Sequence, residues 1–263
     1  MSGYRALGGY YDRLMGTDVD YAARAAYLLS LFARFGSRPT TLLDLACGSG
    51  KLTRELALLG LDMTGTDASP DMLMQAREAV AGLTPEVLLL QQDMRALDLN
   101  DTVDGAVCTQ DSLNHLCKTA DIAAVLARLR LFVSPQGLFI FDVNTPYKHR
   151  YLLGNNDFVL EEDGLLCLWR NRLEERTCTV RMDLDFLEEQ PDGRYERVSD
   201  TVVERAYSLT TWKKLLADAG FELLSVFADG TTDTPAADSD RWVLVARNTR
   251  AAEEYYDKVN ENE

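Results

Sequence analysis

Glycines and acids at successive strand ends carry the chemistry that is legible in this sequence. Leu42-Leu43-Asp44-Leu45-Ala46-Cys47-Gly48-Ser49-Gly50 follows Pro39 and leads into Lys51 to Leu59, a pattern of buried strand, tight turn and helix. Glycine permits a left-handed backbone and removes the Cβ that would hold a ligand away, and the N–H groups of the next helix point to the same place. Asp67 closes the next apolar stretch, Leu61 to Thr66, at about 20 residues past the glycine turn, the spacing at which an acid holds ribose hydroxyls. The dinucleotide spacing G-x-G-x-x-G is absent. Ala46, Gly48 and Gly50 give small-x-Gly-x-Gly instead, with Asp44 inside the strand end.

The next two strand ends add polar groups. Val87 to Leu90 reads as a third strand, followed by Gln91-Gln92-Asp93-Met94-Arg95. An Asp that accepts from an exocyclic amine, with an apolar neighbour on the ring, is a sound way to read a purine. A solvated loop acid is the plainer account of Asp93, but a glycine turn and two acids on one sheet edge favour the ligand, because open α/β sheets bind there. Asp104 to Thr109 is a fourth strand, ending in Gln110-Asp111-Ser112-Leu113-Asn114-His115-Leu116. His115 could take a proton near neutral pH, or equally cap or pack within the following helix. Asp111 and Asn114 could position a substrate amine or hydroxyl. Cys108 and Cys117 lack a basic neighbour and read as small buried hydrophobes.

Asp44 to Gly50 resembles motif I of the class I S-adenosylmethionine-dependent methyltransferases, D/E-x-G-x-G-x-G, with Ala46 in place of the first glycine. Asp67-Ala68-Ser69-Pro70-Asp71-Met72-Leu73, and Gly137 to Phe141 after an amphipathic helix, resemble later parts of the same pattern, so the resemblance spans about residues 40 to 145. It implies S-adenosyl-L-methionine as cofactor and S-adenosyl-L-homocysteine as product. Carried over residue by residue, it implies Asp44, Ala46, Gly48 and Gly50 in the cofactor loop, Asp67 and Ala68 at the ribose, Met72, Asp93 and Met94 at the adenine, and Gln110 near the methyl group. Tyr10-Tyr11-Asp12-Arg13-Leu14-Met15 with Val19-Asp20-Tyr21 resembles the opening of a group of small bacterial methyltransferases, whose N-terminal arm lies over the cofactor. That makes Tyr11 a cofactor contact, with core or edge packing as its alternative. His115 and Asp111 are the expected catalytic residues, and no metal is required.

These residues need a scaffold, and the sequence supplies an α/β one. The chain has 263 residues, 46% of them hydrophobic, enough for a sizeable core. Tyr21 to Phe35 is helical. From 40 to 143 apolar runs alternate with amphipathic segments, the signature of a mostly parallel sheet. The helix Ile122 to Phe132 is broken at Val133 to Gly137, and Leu138 to Asn144 is a fifth strand. From Pro146 the rhythm changes: Val180, Met182, Leu184 and Phe186 alternate with mostly polar residues, Leu166, Leu168 and Arg170 fall in a similar frame, and Pro191-Asp192-Gly193 is a hairpin turn. Ser208 to Gly220 is a helix, and Phe221 to Phe227 and Arg241 to Ala246 are closing strands. The expected fold is a Rossmann-like class I methyltransferase sheet, mostly parallel with the last strand antiparallel, carrying an inserted antiparallel β-meander. The expected divisions are an N-terminal helical arm (1–38), the core (39–146 and 208–248), the insert (147–207) and an acidic tail (249–263). The insert would cover the substrate or form a homodimer interface; Tyr147, His149, Arg150, Trp169 and Arg205 are candidate pocket residues.

Composition narrows the function. Lys+Arg 27 against Asp+Glu 42 gives a net charge of −15, which repels a phosphate backbone. Neither Asn/Asp-Pro-Pro-Tyr after the fourth strand nor a Pro-Cys nucleophile is present, which argues against nucleic-acid substrates. No run approaches a membrane span, and five cysteines without a C-x-x-C pair suit a reducing cytoplasm. The expected reaction is methyl transfer to an N or O of a small molecule. A different enzyme using the same cofactor pocket, marked by extra arginines facing the methyl, and a noncatalytic cofactor-binding scaffold are the rival readings.

Overall fold

The computed structural model describes residues 19–251. Tyr11 and most of the acidic tail lie outside the described residues. The centre of the molecule is β1 (Thr41–Leu45), whose Leu42, Leu43 and Leu45 are fully buried. It pairs in parallel with β2 (Asp62–Asp67) on one side and with β4 (Val103–Cys108) on the other. Outward from these lie β3 (Leu88–Gln91) and β5 (Val133–Asn144), also parallel to their neighbours. The sheet is completed beyond β5 by β11 (Arg241–Asn248) and then by β10 (Phe221–Ala228) at the edge. β11 is antiparallel to both its neighbours, so β10 runs with the parallel set. The sheet is thus the expected mostly parallel one with its last strand reversed. β5 starts at Val133 rather than at Leu138: Gln136 takes a left-handed turn (φ +66°), and the β4 pairing shifts register to absorb it.

Both faces of the sheet are covered. Helices α1 (Tyr21–Arg34) and α2 (Lys51–Leu58) place Leu28, Leu31, Phe32 and Leu56 against Leu42, Met63, Val107 and Ile140. Helices α4 (Thr119–Phe132) and α5 (Leu209–Asp218) place Val125, Leu126, Leu129, Trp212 and Leu216 against Leu43, Leu45, Phe139 and Phe141. Successive strand residues face opposite sides, so β1 must be apolar at both kinds of position. Between them in sequence, α3 (Pro70–Ala79) begins as anticipated: the Ser69 hydroxyl accepts from Met72 N–H at 3.3 Å, with Pro70 in the first turn. Asp20 caps α1 and Ser208 caps α5 in the same way. Among the described residues, no helix is long and apolar enough to cross a membrane.

The chain leaves β1 toward β2 and β3, then returns across the sheet to β4. Strand order therefore reverses between β1 and β4, and the carboxyl ends at such a reversal are where open α/β sheets form a ligand crevice.

Past β5 the chain forms a π-helical segment, Lys148–Leu153, and a four-stranded antiparallel sheet of β6 (Asp157–Glu162), β7 (Leu165–Glu174), β8 (Thr179–Glu189) and β9 (Tyr195–Arg205). β6 was not among the expected strands; its alternation is masked by exposed acids. The expected turn closes β8 onto β9 through Gln190 and Gly193. The frame expected for β7 is off by one residue: Leu165 and Cys167 are the buried positions, not Leu166, Leu168 and Arg170. Register explains it. Phe186, Leu184, Met182 and Val180 pair with Cys167, Trp169, Asn171 and Leu173, and directly opposed residues share a face.

Trp212 is fully buried, its ring 5.2 Å from that of Phe141 and 5.8 Å from that of Tyr207. Trp212→Ala is expected to cost about 3–5 kcal/mol of stability by leaving a cavity under the sheet. Urea unfolding measures this, and a loss under about 1 kcal/mol would contradict the packing described.

Candidate functional site

The crevice is floored by the loop after β1. Ala46, Gly48 and Gly50 all adopt left-handed backbone, with φ of +59°, +54° and +75°. The two glycines are required for different reasons. A Cβ on Gly50 would stand 2.8 Å from Ala76 Cβ, so this glycine lets α2 begin against α3. A Cβ on Gly48 would meet nothing within 4 Å, so its bare backbone faces open space of the kind a ligand could fill. Beneath the loop, Asp44 is 2% exposed and accepts a hydrogen bond from Thr53 Oγ1 at 2.6 Å. Burial, helped by the nearby Asp67 charge, pushes its pKa up to about 7.

Asp67 touches the same loop. Its carboxylate accepts from Gly48 N–H at 2.9 Å and Ser69 N–H at 2.8 Å. Burial raises its pKa against the pull of those N–H groups. Ala68 follows it, with its carbonyl accepting from Gln91 Nε2 at 3.4 Å, while Gln92 N–H donates to the Asp67 carbonyl at 3.0 Å. The ends of β2 and β3 are thereby tied together, which brings Asp93 to the same rim. Asp93 is not free, however. It accepts from Arg95 N–H at 2.9 Å and pairs with the Arg95 guanidinium, which holds its pKa below the usual carboxylate range. Met72 lies half-buried on α3, and Met94 packs against the core cluster around Leu97.

The opposite wall is built at the ends of β4, β5 and β11. Gln110 and Asp111 both have positive φ, +56° and +51°, a strained pair for residues with side chains. Their N–H groups are captured by the two oxygens of Asp142, at 3.0 and 2.8 Å. Asp142 is itself buried and pairs with Arg241, which also reaches Asp111 Oδ2 at 3.0 Å. Burial opposes charge on Arg241, but the two flanking carboxylates outweigh it and raise its pKa. Arg24 from α1 pairs with Asp229 and lies 4.0 Å from Asp142. Asp111 is thus held by Arg241 and by Asn144 Nδ2.

His115 ends the 3-10 turn that follows, Ser112–His115. Its Nε2 is 3.8 Å from Glu204 Oε1, and its side chain is 27% exposed. Glu204, near the end of β9, is buried and comes from the inserted sheet. Candidate ligand atoms of Asp111, His115 and Glu204 lie within 4.8 Å of one another, and Asp111 of this group is paired with Arg241. Asn114 does not face a substrate: it is fully buried, its amide donating to Asn144 O and Arg205 O at 3.2 and 3.0 Å and accepting from Asn144 N–H at 2.9 Å. The candidates from the insert all have partners within the chain. Arg205 donates to the carbonyls of Cys117 and Thr177, Trp169 bonds Asn171, Arg150 lies near Glu175, and His149 is buried. Tyr147 packs at a tilt against Tyr151, ring centroids 5.1 Å apart. Cys108 is buried and Cys117 half-buried, and burial raises both thiol pKa values, as expected of inert cysteines.

Sequence reading missed Asp142, Asn144, Arg241 and Glu204. Two signals were present. Asp142 interrupts the apolar run Leu138 to Val143, and Glu204 occupies the buried phase of β9 with Val202 and Ala206. A charge at an inward position demands a partner.

A methyltransferase-domain family model matches residues 42–137, the segment from β1 to the start of β5. YqeM of Bacillus subtilis (strain 168), a protein named as a methyltransferase, is 28% identical over 94% of this chain and 98% of its own length. A dTDP-3-amino-3,6-dideoxy-alpha-D-glucopyranose N,N-dimethyltransferase of Streptomyces fradiae is 33% identical over 50% of this chain and 51% of its own. The crystal structure of an S-adenosylmethionine-dependent methyltransferase from Clostridium acetobutylicum ATCC 824 superposes with a TM-score of 0.83 at 28% identity, covering 93% of this chain and 98% of that one. Strand order, glycine loop and relatives agree: the chain is an enzyme of the class I S-adenosylmethionine-dependent methyltransferase family, with S-adenosylmethionine as its cofactor.

Proposed function

We propose that this enzyme methylates the nitrogen of a small-molecule amine. The observation that carries the reading is the grouping of Asp111, His115 and Glu204 on the wall opposite the glycine loop, at the switch point of the sheet. An amine reaches such a site as an ammonium ion, which carboxylates attract, and it must lose a proton before its lone pair can attack. His115 is the group placed to take that proton. The name of the Streptomyces fradiae relative, an N,N-dimethyltransferase of an amino sugar, supports an amine acceptor, and the net charge of −15 disfavours a nucleic acid.

When bound, S-adenosylmethionine supplies a methyl group already activated on a sulfonium, so the protein's task is alignment and removal of one proton. Gly48 offers bare backbone to the adenosyl group, Asp67 accepts from the ribose hydroxyls, and Asp93 shares its carboxylate between Arg95 and the adenine amine. Met72 and Met94 border the ring, and Ala68 and Gln110 line the path between ribose and methyl. Asp44 and Ala46 act from below by holding the loop, and Gly50 by letting the helix start. Asp111 serves as the anchor of the acceptor wall through Arg241 rather than as a second base. The inserted sheet covers the crevice, docked by Tyr207 Oη on the Leu116 carbonyl at 2.6 Å and Arg205 on the Cys117 carbonyl at 3.0 Å. The arginines at this rim, Arg24 and Arg241, are committed to Asp229, Asp142 and Asp111, which speaks against a carboxylated cofactor.

Incubation with methyl-labelled S-adenosylmethionine and a panel of nucleotide-linked amino sugars, free amino acids, hydroxylated analogues and RNA tests this directly. Label on an amine supports the reading; label only on hydroxyls, or on RNA, refutes it. For Asp67→Ala the affinity for S-adenosylhomocysteine is expected to fall by about 1–3 kcal/mol, because a charge-assisted pair of hydrogen bonds is removed. Unchanged affinity by calorimetry would sink that assignment. His115→Ala is expected to slow turnover by about 10²-fold or more with cofactor affinity retained. Turnover unaltered across pH would remove His115 from the reaction.

A further inference from the structure

Glu204 stands between the two histidines of the chain. Its Oε1 is 3.8 Å from His115 Nε2, and its Oε2 is 3.6 Å from His149 Nε2. His149 is fully buried, and its Nδ1 is 3.1 Å from the Cys178 carbonyl oxygen. A carbonyl can only accept, so Nδ1 carries a proton, and the neutral ring would turn a bare Nε2 lone pair toward the carboxylate. Two facing lone pairs in a space closed to water are costly, so the pair retains a proton between them. With that proton on His149, Glu204 stays ionised. Burial works to raise its pKa, but the two imidazoles and Asn144 outweigh burial and hold it low.

The carboxylate is also fixed in direction. Asn144 Nδ2 donates to Oε2 at 3.0 Å. Asn144 is itself held by Asn114 through its backbone and by Lys148 Nζ on its Oδ1 at 2.9 Å. One oxygen of Glu204 is therefore locked toward the interior, and the other is turned to the half-exposed ring of His115. Among the described residues, the charged or titratable groups around this pair include Asp111 and Cys117 on the loop of His115, Arg205 next along β9, Lys148 through Asn144, and Arg241 through Asp111.

We propose that Glu204 is a positioning residue, delivered to the crevice by the inserted sheet, which sets the orientation and tautomer of the His115 ring. This rests on the reading of His115 as proton acceptor. Nε2–H turned toward Glu204 makes Nδ1 the basic nitrogen. On deprotonation of the acceptor ammonium its N–H bond breaks, the electron pair stays on nitrogen, and the proton ends on His115. The insert then does more than cover the crevice, because removing it would strip the base of the group that orients it.

The chain has only two histidines, so protein labelled with ¹⁵N-histidine and saturated with S-adenosylhomocysteine reports both rings, and His115→Ala assigns them. The wild type is expected to hold neutral His115 as the Nε2–H tautomer, and Glu204→Gln to lose that preference, because an amide no longer demands a donor on Nε2. An identical tautomer in Glu204→Gln would overturn the proposal. Should that variant not fold, Glu204→Asp keeps the charge but withdraws it by one methylene; a weakened Nε2–H preference supports the role, and an unmoved one contradicts it. The measurement needs no acceptor. Its failure removes Glu204 while leaving methyl transfer standing, and a failed transfer panel leaves the tautomer result standing.

Discussion

The reversal of strand order between β1 and β4 is the constraint on which the rest depends. A sheet that grew in one direction would fill the carboxyl end of β1 with a neighbouring connection. Here the connections from β1 and β4 leave in opposite senses, and the crevice between them receives whatever the two loops present. One loop presents bare backbone, with Gly48 facing open space and Asp67 bonded to its N–H. The other presents ionisable side chains. The proposed recognition and reaction groups thus belong to different strand ends of one sheet edge.

The second wall is held by buried charge. Asp142 and Arg241 would each be expensive alone in a site so closed to water; together with Asp111 they form a network whose members satisfy one another. The same Asp142 carboxylate captures the N–H groups of Gln110 and Asp111, which keeps two residues in a left-handed conformation they would not otherwise adopt. Arg241 comes from β11, 130 residues after Asp111 in the chain. The reversed strand therefore closes the sheet and also sets the shape of the loop that ends in His115.

Much of this was legible in the residue pattern, because the features concerned are local. The turn at Gly48, the capped start of α3 at Ser69 and the acid ending β2 each declare themselves within a few positions, and the ordering of strands and helices follows from alternation of apolar periods. What escaped was long-range pairing. Nothing near Asn114 shows that its amide spans two backbone segments. Glu204 escaped for the same reason: its partners lie on two other elements, and only its inward phase on β9 hints at them. The one-residue error on β7 has a related origin, since register is set across strands and not along one.

The central claim is spatial: Gly48, Asp67 and Asp93, distant along the chain, surround one adenosyl group. A crystal structure of the protein soaked with S-adenosylhomocysteine tests it most directly. The account predicts the adenosine lying across the Gly48 backbone, its ribose hydroxyls on the Asp67 carboxylate and its adenine at Asp93. A ligand bound elsewhere, or a crevice closed by packed side chains, would contradict it.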